Sequence, residues 1–259
     1  MSIVTLTTDF GTQDHYVAVM KSVILRHAPK AQLVDVTHQI PKFNIEHAAM
    51  VLRQLVEWFP PGTVHLVVVD PGVGTERAVM AFRYNGQFVI CPDNGLITLV
   101  HRSWTFETAK RLNRPGETHQ SSTFHGRDIM APAAGFLANG GTIDRIGEPV
   151  DSVELLALHP CAVNDDGTID GQVVYVDSFG NLVTNIHRND VARASQHKAD
   201  VEVVVGDQTV GPIRSTYGDV PAGKPVALIG SSDLLELAVN RGNAAKFFRA
   251  DPGATVKIQ

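Results

Sequence analysis

The stretch VVVDPGVGTER, residues 67–77, decides the fold and raises the first functional question. It completes the run TVHLVVVD (63–70), whose nearly continuous apolar character is typical of a parallel strand covered on both faces. The Pro-Gly pair that follows predicts a tight turn, which would bring Arg77 back towards Asp70. An unpaired buried charge is very costly, so a carboxylate at the end of such a strand needs a cationic partner. We therefore expect an Asp70–Arg77 ion pair across the turn.

Strand and helix patterns alternate on the N-terminal side of this stretch. Strand-like segments cover 3–11, 31–40 and 63–70, and apolar residues at helical spacing cover 14–29 and 44–62. Asn44 is a plausible N-cap of the second helix, which must end at Pro60. The order strand, helix, strand, helix, strand predicts a parallel sheet built by right-handed crossovers.

On the C-terminal side, Asn85-Gly86 between two apolar runs predicts a β-hairpin. A helix is expected within 124–141, where the stretch FHGRDIMAPAAGFLANGG ends in two glycines. Beyond a polar, turn-rich linker near residue 160, short strands separated by Gly, Asp and Asn predict antiparallel structure. The predicted fold class is α/β: an N-terminal α/β domain (1–160) with a mainly parallel central sheet, and a smaller, barrel-like antiparallel β domain (168–259).

Composition excludes several classes of function. The 259 residues are 44% hydrophobic and 19% charged, with a formal net charge of -5 and no clustered basic footprint, so nucleic acid is not an expected partner. No window approaches about 18 consecutive apolar residues, and no membrane partner is expected. The first residues, MSIVTLTTDFG, lack the pattern of a signal peptide. Two distant cysteines indicate a reducing compartment, so we expect a cytoplasmic protein.

Polar side chains at the ends of the parallel strands are the first candidate site residues. Ligands of open parallel sheets bind outside the carboxyl ends of the strands, where Asp9 and Asp70 would lie. The alternative for Asp9 is a turn or cap residue. His125, in TFHGRD, stands beside a glycine at the start of a helix, where an anion is favoured; the alternative is a surface or core histidine.

The C-terminal half contains two further candidate segments. In VDSFGNLVTNI (176–186), Phe179 could stack on a nucleobase while Asn181 bonds its edge; the alternative is a β-bulge with Asn in a left-handed turn. The segment GSSDLLELAVNRGNAA (230–245) has clustered hydroxyl groups, and its alternative is a polar loop with a short helix.

Taken together and in this order, these motifs resemble the S-adenosylmethionine (SAM) hydroxide adenosyltransferases, which are homologous to enzymes that attach fluoride or chloride to the 5′ carbon of adenosine. The resemblance covers nearly the whole chain and rests on six segments: TDFG, VVVDPGVGTER, PDNG, TFHGRD, FGNLVTNI and GSSDLLELAVNRGNAA. The halogenating relatives carry other residue types at the aspartate and histidine positions, and the fluorinating enzymes have an additional loop within the N-terminal domain that is missing here. The sequence therefore resembles the branch that uses water.

The resemblance implies a catalytic set of Asp70, Arg77 and His125. It further implies a substrate-binding set in which Asp9 holds the ribose hydroxyls, and the other members contact adenine or the methionine end. Adenine contacts fall on Phe179, Asn181, Asn240 and Ala244, and methionine contacts on Asp177, Ser231 and Ser232. The spacing from Asp177 to Phe179 is one residue shorter than in the halogenating enzymes.

By the same resemblance, the protein is a hydrolase that converts SAM to adenosine and L-methionine by attack of water or hydroxide on the 5′ carbon. SAM is the small-molecule substrate, with no cofactor and no metal, and the implied assembly is a homotrimer with sites at subunit interfaces. Two alternatives remain. One is a metal-dependent hydrolase that uses Asp9, Asp70, His125 and Asp128, and the other is a non-catalytic module that binds adenosine or SAM.

Overall fold

The computed structural model describes residues 2–113, 121–194 and 201–259. Contacts between Cα atoms divide the chain into two compact units, residues 1–156 and 157–259, where the sequence predicted domains of 1–160 and 168–259. In the described ranges, no helix combines the length and the apolar character needed to cross a membrane.

The first unit is built on a seven-stranded sheet with the strand order β2-β1-β3-β5-β4-β6-β7. Strands β2, β1, β3 and β5 are mutually parallel, whereas β4, β6 and β7 add antiparallel pairs at one side. The strands are β1 (Ile3–Thr8), β2 (Gln32–Thr37), β3 (Val64–Val68), β4 (Val79–Tyr84), β5 (Gln87–Pro92), β6 (Phe106–Leu112) and β7 (Gly147–Pro149). Every residue of β3 is buried, as its apolar sequence predicted.

Helices cover both faces of this sheet and enclose two apolar clusters. They are α1 (Tyr16–His27), α2 (Ile45–Leu55), α3 (Thr98–Ser103) and α4 (Ala131–Ala138). Helix α2 is capped as predicted, because the Asn44 side chain accepts a hydrogen bond from the His47 amide. One cluster gathers side chains of α1, α4 and β1, including Met20 and Leu137, and the other gathers side chains of α2 and α3, including Leu52.

The Asn85-Gly86 hairpin between β4 and β5 is confirmed, with positive φ at both turn residues. The hairpin makes β4 antiparallel to its neighbour, so that its first residue, Val79, lies at the edge where the parallel strands end. The Asp70–Arg77 loop, which joins β3 to β4, therefore begins and ends at the same edge.

The second unit is a nine-stranded, nearly closed barrel with the order β12-β11-β16-β9-β10-β15-β14-β13, and β8 pairs with β9. Strand β12 also packs near β14, which brings the two ends of the sheet together. The strands are β8 (Ala162–Val163), β9 (Ile169–Val176), β10 (Leu182–His187), β11 (Val203–Val205), β12 (Gln208–Gly211), β13 (Ile213–Arg214), β14 (Pro225–Ile229), β15 (Leu234–Val239) and β16 (Thr255–Ile258); the helices are α5 (Arg188–Ala194) and α6 (Ala244–Phe248). The predicted fold class is confirmed.

Two local expectations differ from the structure. The segment 230–245, for which the sequence allowed a polar loop and a short helix, contains strand β15, whose Leu235 and Leu237 side chains are fully buried. The turn between β9 and β10 places its positive φ at Gly180 rather than at Asn181. Strand β15 forms because β10 and β14 pair with it, and this pairing is not visible in the local sequence. In the turn, glycine adopts a positive φ without the steric cost that Asn would bear.

A buried histidine lies within the sheet of the first unit. His65 on β3 contacts Thr5 Oγ1 through Nδ1 at 2.8 Å and Gln87 Oε1 through Nε2 at 2.6 Å. The Gln87 amide in turn donates to the carbonyl oxygens of Val56 and Phe59. Burial lowers the pKa of His65 from 6.5 to about 4, against a smaller opposing effect of the Gln87 hydrogen bond. The His65 imidazole is therefore neutral in the folded protein at neutral pH.

We predict that acid destabilises the first unit through His65. Between about pH 6.5 and pH 4 the unfolded chain binds a proton that the folded chain does not. The free energy of unfolding therefore decreases as the pH is lowered, by up to about 3 kcal/mol. The measurement is urea unfolding at pH 7.5, 6, 5 and 4.5 for the wild type and for His65→Leu. The variant is less stable at neutral pH, but its stability should vary less over this range. Equal slopes would contradict the assignment.

Candidate active site

Three side chains that are distant in sequence meet at the carboxyl edge of the N-terminal sheet. Arg77 Nε donates to Asp70 Oδ1 at 2.8 Å, and Arg77 Nη2 pairs with Asp70 Oδ2. The same Nη2 lies 2.8 Å from His125 Nδ1. The structure thus contains the ion pair expected from the turn and adds the imidazole to it.

All three side chains of this arrangement are buried. The side chains of Arg77 and Asp70 are only 10% and 6% exposed, and His125 is 4% exposed. Removing one partner of such a buried pair costs about 3–5 kcal/mol, because the other charge is left uncompensated. A guanidinium group only donates hydrogen bonds, so His125 Nδ1 must accept, which places the imidazole proton on Nε2.

The loop that holds the ion pair is shaped by close backbone contacts. The Val73 amide donates to the Asp70 carbonyl oxygen, and the Thr75 amide donates to that of Gly72. Gly74 adopts φ +83°, and a Cβ atom there would lie 2.6 Å from the Ser122 carbonyl oxygen. The loop therefore packs directly on the segment that leads to His125, and only glycine fits this contact.

His125 immediately precedes a π-helical turn, Gly126–Met130, that continues into α4. A Cβ atom at Gly126 would lie 3.3 Å from Val68 and 3.4 Å from Met20, so the turn lies close against β3 and α1. Next to it, Arg127 pairs with Asp128 through two nitrogens, and this hydrogen bonding lowers the pKa of the Asp128 carboxyl group. Asp128 therefore pairs with Arg127 and not with Arg77.

The guanidinium group of Arg77 retains an unused donor. Within the part of the chain that the structure describes, Arg77 Nη1 is buried and has no hydrogen-bond partner. A cavity of about 240 Å³ adjoins the site and is lined by Arg77, Ala78, Val79, Arg111, Leu112, Asn113, His125 and Ile129. An unsatisfied buried donor is costly. The arrangement is therefore suited to a small oxygen-containing ligand.

Asp9 follows β1 at the same edge and is 5% exposed. Its Oδ2 accepts a hydrogen bond of 2.9 Å from the Phe43 amide, and its carbonyl oxygen accepts one from Lys42 Nζ. The preceding residue, Thr8, is held through Oγ1 by His38 Nδ1 at 2.9 Å. Asp9 is thus fixed from two sides.

Phe43 is a candidate site residue that sequence reasoning missed. It adopts φ +65°, which is rare for a bulky residue and costs about 1–3 kcal/mol, and its ring is 66% exposed. The strained backbone brings the Phe43 amide to the Asp9 carboxylate. The local sequence, PKFN, contains no glycine that would have indicated a left-handed residue.

In the second unit, the candidate residues Asp177, Phe179 and Asn181 form one compact turn. Asp177 Oδ1 accepts from the amides of Phe179 and Asn181, and Asp177 Oδ2 accepts from Asn181 Nδ2 at 3.0 Å. The Phe179 ring is 76% exposed on this rigid turn, whereas Asn181 is buried. Asp177 therefore organises the turn, and Phe179 presents a flat apolar surface.

The remaining candidates of this unit divide between surface and interior. Ser231 and Ser232 lie in the exposed to half-buried turn that joins β14 to β15. The Asn240 side chain donates through Nδ2 to the Val220 carbonyl oxygen, and Ala244 lies in the barrel core. The Gly180 carbonyl oxygen accepts from the Ala245 amide, so the turn of Phe179 and the start of α6 are in contact.

The described residues contain no group of three or more His, Cys, Asp or Glu side chains arranged for a metal ion. Of the four residues considered for a metal-dependent hydrolase, Asp70 and Asp128 each pair with an arginine. A guanidinium group beside a carboxylate disfavours a bound cation at that carboxylate. The donor set does not fit a metal centre.

Comparison with known proteins gives consistent matches over the chain. Residues 4–147 match the SAM hydroxide adenosyltransferase N-terminal domain, and residues 171–257 match the C-terminal domain of that family. A protein from Thermus thermophilus named (R)-S-adenosyl-L-methionine hydrolase is 39% identical over 260 residues, which cover 97% of each chain. One of the same name from Methanocaldococcus jannaschii is 34% identical, with coverage of 97% of this chain and 93% of the relative.

More distant relatives and solved structures extend this result. A protein named fluorinase from Actinopolyspora mzabensis is 26% identical, with coverage of 99% of this chain and 96% of the relative. The crystal structure of an uncharacterized conserved protein from Thermotoga maritima superimposes with a TM-score of 0.91 at 35% identity and covers 100% of this chain and 99% of that one.

We predict that Gly74→Ala disturbs the site much more than Gly62→Ala. Both glycines have positive φ, +83° and +85°, but a Cβ atom at Gly62 has no neighbour within 4 Å. Both variants carry the backbone strain, and only Gly74→Ala adds the collision with Ser122, which should cost about 1–3 kcal/mol more. Thermal unfolding of both variants measures the difference. Equal stability of the two would show that the loop does not pack tightly on Ser122.

Proposed function

Since the chain belongs to the SAM hydroxide adenosyltransferase family, we propose that it is an enzyme that hydrolyses S-adenosyl-L-methionine to adenosine and L-methionine. In this reaction a C5′–O bond forms, the C5′–S bond breaks with its electron pair passing to sulfur, and one proton is released. The observation that supports it most directly is the contact of Asp70, Arg77 and His125 around an unused, buried guanidinium nitrogen.

The catalytic difficulty of this reaction lies in the nucleophile. Methionine leaves as a neutral thioether and needs no general acid, whereas water is a poor nucleophile at neutral pH. In the proposed mechanism the guanidinium group of Arg77 stabilises the negative charge that develops on the water oxygen. Asp70 accepts the proton, and His125, held by Arg77 at Nδ1, orients the water molecule. Holding water in line with the C–S bond adds a positioning effect.

Charge changes along the reaction favour a water-poor site. The sulfonium group is cationic and hydroxide is anionic, so their charges cancel as the transition state forms. Phe10, Phe124 and Tyr16 pack edge to face or tilted near the start of α1, with ring centroids 5.3–6.0 Å apart. These rings provide an apolar wall beside Asp9. Exclusion of bulk water strengthens the electrostatic interactions of the remaining polar groups.

The proposed substrate contacts use both units. Asp9 binds the ribose hydroxyls, Phe179 stacks on adenine, and Asn181 bonds the adenine edge. The methionine end lies near Asp177, Ser231 and Ser232. Asn240 and Ala244 complete the adenine contacts.

The proposed assembly is a cytoplasmic homotrimer whose sites lie at subunit interfaces, and no cofactor takes part. A non-catalytic module that retains adenosine is the alternative function. Such a module would use the same binding contacts as the proposed enzyme but would not convert SAM. Incubation with SAM, followed by chromatography of adenosine, distinguishes the two, and a protein that binds SAM without forming adenosine would disprove the enzyme.

We predict that Asp70→Asn and His125→Ala reduce kcat by about 10²–10⁴-fold while changing the dissociation constant for adenosine far less. The reason is that both side chains act on the attacking water rather than on the nucleoside. Adenosine formation gives kcat, and isothermal titration calorimetry gives the affinity. Glu57→Gln, which removes an exposed ion pair with Arg53, is the control and should retain full activity. Parallel losses of rate and affinity would instead indicate ligand positioning.

We also predict that Phe179→Ala weakens adenosine binding about 5- to 150-fold, because stacking of a base on an aromatic ring contributes about 1–3 kcal/mol. Phe247→Ala is the matched control, since Phe247 is another exposed ring of the same unit, at 49% exposure. Calorimetric titration of both variants with adenosine tests the difference. Similar affinities for the two variants would show that Phe179 is not the stacking residue.

A further inference from the structure

The motif PDNG (92–95), which none of the proposed catalytic or binding roles uses, joins β5 to α3. Its residues follow a strand that is parallel to β3, so the motif lies at the same sheet edge as Asp70. Gly95 adopts φ +88°, and a Cβ atom there would lie 2.7 Å from Leu156 Cγ. The motif therefore packs tightly against Leu156.

Asn94 contacts the backbone directly before the ion pair. Its Nδ2 donates to the Val69 carbonyl oxygen at 3.0 Å, and its Oδ1 accepts from the Leu96 amide at 3.3 Å. The two bonds together fix the orientation of the amide, because only nitrogen can donate and only oxygen can accept. Val69 is fully buried and precedes Asp70.

Asp93 contacts the backbone directly after the ion pair. Its amide donates to the Ala78 carbonyl oxygen at 2.9 Å, and its carboxylate accepts from the Glu154 amide at 3.0 Å. Ala78 follows Arg77. Two consecutive residues of one motif thus bind the two ends of the loop that carries Asp70 and Arg77.

We propose that Asn94 is a positioning residue for the reaction, which holds Asp70 at the distance from Arg77 and His125 that activates water. The proposal rests on the proposed function. A displacement of about 1 Å in a reacting group can reduce a rate by about 10²-fold, and the Asn94 bond acts one residue from the carboxylate. Among the described residues, the Asn94 side chain makes no hydrogen bond with Asp9, so its substitution should change the rate of the chemical step and leave nucleoside affinity nearly unchanged.

The test uses two substitutions in the full-length protein, Asn94→Ala and Asn94→Asp. The second is nearly isosteric but cannot donate to Val69. We expect kcat to fall about 10- to 100-fold in both, with adenosine affinity within about twofold of the wild type. Asn164→Ala is the matched control, since Asn164 Nδ2 also donates within a turn, to Thr168 and Asp170, and this variant should keep full activity.

A second readout does not depend on turnover. The ¹⁵N resonances of the His125 imidazole, assigned by comparison with His125→Gln, should show the Nε2–H tautomer in the wild type and shift in both Asn94 variants. Unchanged kcat and unchanged resonances, or equal losses of kcat and affinity, would overturn the proposal. If Asn94→Ala does not fold, Asn94→Ser provides the same test. Failure of the wild type to form adenosine would disprove the proposed function, while the resonances would still decide whether Asn94 controls the site.

Discussion

The buried ion pair between Arg77 and Asp70 is the interaction on which the rest of the site depends. Two parallel hydrogen bonds use the Nε and Nη2 side of the guanidinium group, which directs Nη2 towards His125 as well and leaves Nη1 for a ligand. A planar group with fixed donor directions can impose this geometry, whereas a lysine ammonium could not. The pair therefore fixes the orientation of the carboxylate, and its guanidinium group decides the tautomer of the histidine.

The fold supplies three independent supports for this pair. The parallel strands place Asp9, Asp70 and the PDNG motif at one edge of the sheet. Gly74 allows the loop to contact the segment before His125, and the motif residues Asp93 and Asn94 bind its two ends. None of these supports uses the guanidinium, carboxylate or imidazole atoms of the candidate site. Such separation allows the loop to be rigid while Arg77 Nη1 stays available.

Sequence reasoning was most successful where the local pattern carries its own physical cause. The apolar run before Asp70 indicated a doubly covered strand, and Asn85-Gly86 indicated a hairpin. It was least successful where a distant contact decides the backbone. Phe43 adopts a strained conformation because its amide reaches Asp9, and β15 forms in a segment with weak strand signals because β10 and β14 pair with it. No property of either segment alone indicates these contacts.

The sequence by itself determined the alternation of strands and helices, the change to antiparallel strands after residue 160, and the candidate identities of Asp70, Arg77 and His125. Only the tertiary structure decided that His125 lies against the guanidinium group, 48 residues from Arg77 along the chain, and that Asn94 holds the backbone beside Asp70. The physical reason is that periodicity and turn chemistry act over a few residues. The distances between the candidate site residues depend instead on how the sheet, the π-helical turn and the loops pack together.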